Sequence, residues 1–317
     1  MEARLRTVAD SLIRAAGAVE RVQALEALRR ELESGATNEV SAALRRLLDS
    51  RTDAPTGQQF KIGGNGLLAE APTLRTFLLD QLGRVNPSAA ADYARLILND
   101  SNSPDEWAVA LRNLARGDVS PGARSMLADK TAELLNNDSW QQNPSVGYLE
   151  AFDTAVFLGG TDLLPTLSDL VRKKDNQAVA HAAFLTLDRL VISQPAQVLS
   201  LIEQHPDWMQ GREETRANYF ARADLGDEGQ RRLIKSYLLD PTRGANELQA
   251  FAGVFPNANF MISQNLLTDA VTMDGATLAR RDKAALVVVN EWLAEPRFER
   301  VKPELQKIRS RLLEFTK

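Results

Sequence analysis

Cysteine is absent from the sequence, and this absence excludes disulfide bonds, thiolate zinc sites, iron–sulfur ligation and thiol nucleophiles. Histidine occurs only twice, which leaves little material for a zinc site or a catalytic triad. Aromatic residues make up 6% of the chain. Their scarcity favours helix packing over strands, which are rich in aromatic and β-branched residues.

Long apolar runs are also missing, since none approaches the roughly 20 residues that a membrane-spanning helix needs. The formal net charge of −4 provides no global field that would recruit nucleic acid or anionic lipid. The first residues carry charges at a helical period, which differs from the apolar core of a signal peptide. We expect a protein without a membrane span, cytoplasmic by default, or periplasmic or secreted if a leader preceded this sequence.

Four short motifs are typical of helix starts. Asn86-Pro87, Ser103-Pro104, Ser120-Pro121 and Asn143-Pro144 follow one another at intervals of 17, 17 and 23 residues. In each motif the Asn or Ser side chain can accept a hydrogen bond from a backbone N–H that has no partner inside the helix. Proline has no N–H, so its position in the first turn leaves no donor unpaired. Glu106 adds the acid of a capping box. The spacing therefore predicts helices that alternate with short turns.

The helical pattern divides the chain into three parts. Residues 1–50 are predicted to form amphipathic helices, and residues 51–71 form a loop that contains Gly and Pro. Residues 72–317 are predicted to form a helical-repeat solenoid, which a bend near 255–260 would subdivide. No stretch alternates between apolar and polar residues for long enough to form a sheet.

Apolar residues recur at a fixed spacing in the middle of the chain. Leucines at 158, 167 and 170 are followed 32 residues later by apolar residues at 190, 199 and 202. A period of about 30–45 residues in a helical chain is typical of stacked helix pairs. The residues that we predict to form this structural core are Leu158, Leu167, Leu170, Leu187, Leu190, Leu199 and Ile202.

The segment from Leu164 to Leu190 resembles the junction between two repeats of the HEAT/armadillo-like family. The matching residues are Leu164, Pro165, Thr166, Leu167, Leu170, Val171, Asp175, Val179, Ala183, Leu187 and Leu190. Ala180 stands where the family usually has a basic residue. The resemblance implies an all-α fold, a right-handed α-α superhelix of stacked antiparallel helix pairs. Such a HEAT-like solenoid mostly serves as a scaffold that binds proteins.

One glycine-rich stretch, Gly63-Gly64-Asn65-Gly66, raises the question of a phosphate site. A P-loop requires Lys and Ser or Thr directly after its last glycine, but Leu67 and Leu68 follow here. The spacing Gly64-x-Gly66-x-x-Ala69 fits a loosened dinucleotide fingerprint, which functions only between a strand and a helix of a parallel sheet. Because no such sheet is predicted, we interpret the stretch as a turn or small hairpin between helices and expect no cofactor.

The other polar residues fit structural roles better than chemical ones. His181 lies inside a predicted helix and His205 at a helix end, without the partners that a triad or a zinc site needs. Carboxylate pairs such as Asp224 and Asp227 are typical of solvated helix faces. Acids alternate almost everywhere with the basic pairs and with the run Arg172-Lys173-Lys174, so we do not expect the concentrated basic face that nucleic-acid binding requires. The sequence predicts no catalytic residue and no metal site.

The function that we expect is a non-catalytic helical-repeat scaffold or adaptor that binds another protein. Stacked repeats bury their core against one another and leave a long continuous face for a partner. The alternative is an enzyme, a hydrolase or a DNA-glycosylase-like protein, with acidic residues in the concave face of the solenoid. Two carboxylates that converge in a deep pocket would favour this alternative.

Overall fold

The computed structural model describes residues 2–315, which are helical apart from irregular connections and one small hairpin. The predicted all-α class is therefore confirmed. The chain forms two compact units. Unit 1 contains the described residues up to Leu158 together with Ser263–Asp269, and unit 2 contains Gly159–Ile262 and the described residues from Ala270 onward. Within residues 2–315, no helix is long and apolar enough to cross a membrane.

Unit 1 is built from short helices and one two-stranded antiparallel hairpin. Its helices are α1 (Glu2–Arg14), α2 (Ala18–Glu33), α3 (Thr37–Asp49), α4 (Leu74–Val85), α5 (Pro87–Asp100), α6 (Pro104–Gly117), α7 (Pro121–Leu135), α8 (Asp138–Gln142), α9 (Val146–Glu150) and α10 (Asp153–Leu158). The hairpin strands are β1 (Lys61–Ile62) and β2 (Leu68–Glu70), with Lys61 opposite Glu70 and Ile62 opposite Leu68. Helices α4, α5 and α6 pack against one another, and α6 also packs against α7 and α9.

Three of the four predicted cap–proline motifs begin helices. The side chains of Asn86, Ser103 and Ser120 each accept the backbone N–H three residues later, at 3.1, 3.3 and 3.2 Å. Proline occupies the first helical position after each cap. These caps satisfy N–H groups that have no partner inside the helix, so the predicted starts of α5, α6 and α7 are confirmed.

The fourth motif, Asn143-Pro144, does not begin a helix. Asn143 ends α8 instead, and Ser145 caps α9 by accepting the N–H of Tyr148 at 3.1 Å. The hydroxyl of Ser145 also donates to Asp105 at 2.6 Å. Because this tertiary contact fixes Ser145 rather than Asn143, the helix begins two residues later than the motif predicts.

Unit 2 continues the alternation of helices and turns. Its helices are α11 (Leu164–Arg172), α12 (Gln177–Ser193), α13 (Pro195–Gln204), α14 (Glu213–Phe220), α15 (Glu228–Leu239), α16 (Ala245–Val254), α17 (Gly275–Ala294) and α18 (Lys302–Phe315). Helix α11 packs against α12, and further contacts join α13 to α15, α14 to α16 and α16 to α18. All seven predicted core residues are buried; Leu158 lies at the end of unit 1 and the other six lie in unit 2.

Buried ion pairs join residues that are 31–34 positions apart in both units. The pairs are Arg75–Glu106, Asp80–Arg112, Asp188–Arg222 and Arg216–Glu247. Burial of a charge is costly unless a counter-ion and hydrogen bonds compensate it. Separation of the two partners would leave such a charge, so each ion pair holds together two elements that lie one helix pair apart in the sequence. The spacing matches the 32-residue recurrence of apolar residues. The right-handed superhelix itself stays a prediction.

The predicted role of Glu106 in a capping box is wrong. As the third residue of α6 it was expected to complete a capping box with Ser103. Its carboxylate instead accepts two hydrogen bonds from Arg75, at 2.7 and 3.4 Å. The hydrogen bonds between the carboxylate of Glu106 and the half-buried guanidinium of Arg75 are charge-assisted at both ends. They are therefore stronger than a bond from Glu106 to a neutral backbone N–H at the helix start.

The segment Ser263–Asp269 belongs to unit 1, although it comes late in the chain. The buried carboxylate of Asp153 accepts the N–H groups of Leu267 at 2.6 Å and Thr268 at 3.1 Å. The guanidinium of Arg116 donates to the carbonyl oxygen of Leu266 at 2.8 Å. These contacts span 114 to 150 positions of sequence.

Candidate functional site

The glycine-rich stretch forms the turn between β1 and β2, and its backbone is used inside unit 1. The carbonyl oxygen of Gly66 accepts a hydrogen bond from Arg112 at 2.9 Å, and the N–H of Leu68 donates to Asp80 at 2.9 Å. The hairpin is the only sheet in residues 2–315, so the strand and helix context of a dinucleotide fingerprint is missing there. The stretch is a small hairpin between helices.

The two histidines lie apart in unit 2 and each contacts an aromatic ring. His181 lies on α12, where its ring is 6.1 Å from that of Phe184. His205 ends α13 and stacks on Trp208, with ring centres 4.4 Å apart. Neither arrangement shows a nucleophile or a carboxylate aligned with an imidazole nitrogen, and both fit the packing roles that we expected.

Three carboxylates line one hollow of unit 1 that has a volume of about 420 Å³. The carboxylates and their partners are Glu106 with Arg75 at 2.7 Å, Asp100 with Arg51 at 3.6 Å, and Asp49 with the hydroxyl of Tyr93. Burial, and then the charge and hydrogen bond of Asp49, raise the pKa of Tyr93 to about 12. All three acids line this hollow, but only Glu106 is held by hydrogen bonds from an arginine, whereas Asp100 is beyond hydrogen-bond distance of Arg51.

A second hollow, of about 470 Å³, lies in unit 2 beside the turn between α11 and α12. We call it the basic hollow. Its lining residues are Val171, Lys173, Lys174, Gln177, Ala180, His181, Phe184, Arg212 and Thr215. Three of them are permanently cationic at neutral pH, and none is a carboxylate. Basic residues therefore predominate among the charged side chains that line the basic hollow.

Local structure fixes the rim of the basic hollow. Lys173 follows the last residue of α11, and its carbonyl oxygen accepts a hydrogen bond from Arg212 at 3.2 Å. Asn176 caps α12 by accepting the N–H groups of Ala178 and Val179 at 3.1 and 3.2 Å. The short turn between these two anchors holds Lys174 in an exposed position.

Aromatic stacking fixes the floor of the basic hollow. The ring of Phe184 lies between His181 and the buried ring of Tyr219, with centres 6.1 and 5.6 Å away. The hydroxyl of Tyr219 donates to the carbonyl oxygen of Phe184 at 3.1 Å. A rigid aromatic floor with a basic rim is suited to a ligand that has both an apolar part and a negative charge.

Sequence reasoning found part of the basic hollow. The run Arg172-Lys173-Lys174 was visible as a basic cluster, and all lining residues except Arg212 and Thr215 lie in the segment that resembles HEAT repeats. Arg212 was missed because it joins the lysines only through a contact 39 positions away. Comparisons of the chain with protein-family models, with curated proteins and with solved structures find no match.

Proposed function

We propose that the protein is a non-catalytic helical-repeat scaffold or adaptor that binds an acidic segment of another protein in the basic hollow. The observation that carries this proposal is the grouping of Lys174 and Arg212 around an aromatic floor without a carboxylate among the lining residues. Complementary charge increases the rate and specificity of association. Arginine and aromatic residues are enriched in protein interfaces.

A short acidic segment fits the surroundings better than a long polyanion. The exposed acids Asp175, Glu213 and Glu214 lie next in sequence to residues of the rim. A nucleic acid that extends beyond the basic hollow would meet their negative charge within about 10 Å, the distance over which charges interact at moderate salt. One or two carboxylates of a peptide stay inside the hollow and avoid this repulsion.

The wider fold also supports an adaptor. Ion pairs one helix pair apart and contacts between alternate helices are expected when helix pairs stack. Stacked pairs leave the turns between helices exposed on one edge, and the turn between α11 and α12 carries Lys174. A partner that lies along this edge would reach the basic hollow.

Selection from a random peptide library on the immobilised protein tests the proposal. We expect enriched peptides to place Asp or Glu next to an apolar residue. Lys174→Glu should abolish the enrichment, whereas Lys307→Glu, an exposed change on α18 outside the lining residues, should leave it intact. Enriched peptides without acids, or peptides that bind the Lys174→Glu variant equally well, would refute the proposal.

A hydrolase is the second candidate, because Asp49, Asp100 and Glu106 line one hollow of unit 1. A carboxylate held by a donor can act as an acid or base once a substrate displaces that donor. The test is turnover of ester, phosphate and glycoside substrates by the wild-type protein. Turnover that Asp49→Asn removes without loss of helicity would favour the hydrolase over the adaptor.

A further inference from the structure

A separate cavity of about 170 Å³ in unit 2 brings three guanidinium groups together. We call it the arginine pocket, and define it by Arg222, Arg280, Arg281, Asp224, Phe260 and Met273. Arg222 follows the end of α14, and Arg280 and Arg281 lie in the first half of α17. The apolar walls come from Ile192 on α12 and from Phe260 and Met273 in the connection between α16 and α17.

The charges around the arginine pocket are not balanced. Asp188 holds Arg222 with two hydrogen bonds, at 2.9 and 2.7 Å, so this guanidinium is neutralised. Asp224 is the only carboxylate among the lining residues. It lies 3.8 Å from Arg280 and 3.7 Å from Arg281, beyond hydrogen-bond distance in both cases. Asp224 is therefore near two guanidinium groups, those of Arg280 and Arg281, but forms a hydrogen bond with neither.

Arg281 is buried, and its guanidinium is only partly satisfied. Its side chain is 8% exposed, and its Nε–H has no hydrogen-bond acceptor. One terminal nitrogen donates to the carbonyl oxygen of Arg222 at 2.6 Å, and the other faces the sulfur of Met273 at 3.0 Å, which is a weak acceptor. A buried guanidinium without an oxyanion in its plane is energetically costly.

Other charges near Arg281 do not remove this imbalance. The charge of Asp282 acts on Arg281 and also on Arg311, so it is shared with a further cation. Burial lowers the pKa of Arg281, Asp224 and Asp282 raise it, and the positive charges of Arg222 and Arg280 lower it again. Around the arginine pocket itself, the three guanidinium groups of Arg222, Arg280 and Arg281 thus face two carboxylates, Asp188 and Asp224, and a single negative charge would balance them.

The size and walls of the cavity restrict the ligand. Sites for drug-sized ligands usually measure about 300–1,000 Å³, so a cavity of about 170 Å³ encloses only a small ligand or the end of a longer one. The ring of Phe260 lies against Arg222, with 5.5 Å between the guanidinium carbon and the ring centre. Phe260, Met273 and Ile192 provide an apolar surface beside the cations.

We propose that the arginine pocket binds a small monocarboxylate. Arg281 and Arg280 hold the carboxylate, for which the planar guanidinium is suited, and Phe260, Met273 and Ile192 contact the apolar remainder. Phosphate is less well matched because it carries about 1.5 to 2 negative charges at neutral pH, whereas one is missing here. This site is independent of the basic hollow and of the proposed adaptor function.

Isothermal titration calorimetry of the full chain with butyrate and benzoate tests the proposal, with butyramide as the uncharged control. We expect both acids to bind and butyramide not to bind. Arg280→Gln should weaken binding about ten-fold or more, because one partner of the carboxylate is lost. Arg232→Gln, which removes another exposed arginine of unit 2, is the matched control and should have no effect.

A second variant separates a ligand site from a structural cluster. Asp224→Asn removes the carboxylate that competes for Arg280 and Arg281, and its amide oxygen can still accept the N–H of Gly226. We expect it to bind butyrate about ten-fold more tightly than the wild type. Loss of a purely structural ion pair would give no such gain. Equal affinity of the wild type, Asp224→Asn and Arg280→Gln would overturn the proposal.

Two further ligands define the chemical class and its source. Inorganic phosphate that binds more tightly than both carboxylates would overturn the assignment to a monocarboxylate. N-acetyl-glycyl-leucine presents the same carboxylate at the end of a peptide. Tighter binding of this peptide than of butyrate would support a carboxylate site that recognises a chain terminus, and weaker binding would support one that recognises a free acid.

Discussion

Arg112 lies fully buried in unit 1, where its guanidinium joins α6 to α4 and to the hairpin. It binds the carboxylate of Asp80 at 2.5 Å, the carbonyl oxygen of Gly66 at 2.9 Å and the amide oxygen of Asn113 at 2.8 Å. Arg112→Met keeps much of the side-chain volume and removes every donor. Asp80, which is 1% exposed, would keep its bond from the N–H of Leu68 but lose its counter-ion.

The expected cost follows from these contacts. Removal of one partner of a buried ion pair costs about 3–5 kcal/mol, because the other charge stays buried without compensation. Gly66 and Asn113 also lose a donor, and a buried acceptor without a partner costs about 1–3 kcal/mol. Losses at one site are not additive, so we expect Arg112→Met to lower the free energy of unfolding by about 4 kcal/mol in total.

Urea denaturation followed by far-ultraviolet circular dichroism measures this loss. The matched control is Arg232→Met, since Arg232 pairs with Glu228 on the surface and their side chains are 74% and 78% exposed. An exposed pair contributes at most about 1 kcal/mol. Replacement of both buried partners, Arg112→Met with Asp80→Leu, should recover part of the loss because no charge is left unpaired. Equal midpoints for Arg112→Met and Arg232→Met would refute the reasoning.

Three further predictions concern other parts of the chain. Gly66 has a φ of +63°, and an added Cβ would lie 2.1 Å from a packed carbonyl oxygen, whereas an added Cβ at Gly64 meets nothing within 4 Å. Gly66→Ala should cost about 2–5 kcal/mol and Gly64→Ala less than about 1 kcal/mol, and equal urea midpoints would contradict this account. Burial raises the pKa of all four tyrosines above 10, that of Tyr93 to about 12, so their stabilisation of the fold is present below pH 10 and is lost as the pH rises toward 12. Tyrosinate absorbance of the folded protein should therefore stay low at pH 10 and appear there only after denaturation; half-ionisation at pH 10 with helicity retained would be inconsistent with burial. Leu170→Ala should cost about 2–5 kcal/mol by leaving a cavity and Arg172→Ala less than about 1 kcal/mol; an equal fall in melting temperature would mean that the helical phase of α11 is wrong.

Helix starts were predictable because their signals are local. The caps Asn86, Ser103 and Ser120 act on N–H groups three residues away, so adjacent residue types suffice to predict them. The start of α9 was predicted wrongly because two residues, Asn143 and Ser145, can both act as a cap. Their competition is decided by a contact from Ser145 to Asp105, 40 positions away, which no local pattern contains.

Buried charges were not predictable for the same reason. Arg112 and Arg222 look like ordinary charged residues of a helical chain, and their partners lie 32 and 34 positions away. Only the packing of alternate helices brings each guanidinium to its carboxylate. The basic run at Lys173 was visible, but Arg212 and the aromatic floor became recognisable only in the folded structure. All four buried ion pairs join oppositely charged residues that are 31–34 positions apart. Opposite charges at this repeat spacing are therefore a sequence pattern from which such ion pairs could be predicted.

The late segment Ser263–Asp269 has a consequence for synthesis on the ribosome. Chains grow at about 5–20 residues per second, and Leu267 follows Asp153 by 114 positions, so it is made about 6–23 s later at that rate. The N–H groups that Asp153 accepts, and the carbonyl oxygen that Arg116 binds, therefore reach unit 1 only after a large part of unit 2 has been translated. Unit 1 comes first in the chain, but its packing cannot be completed cotranslationally before that point.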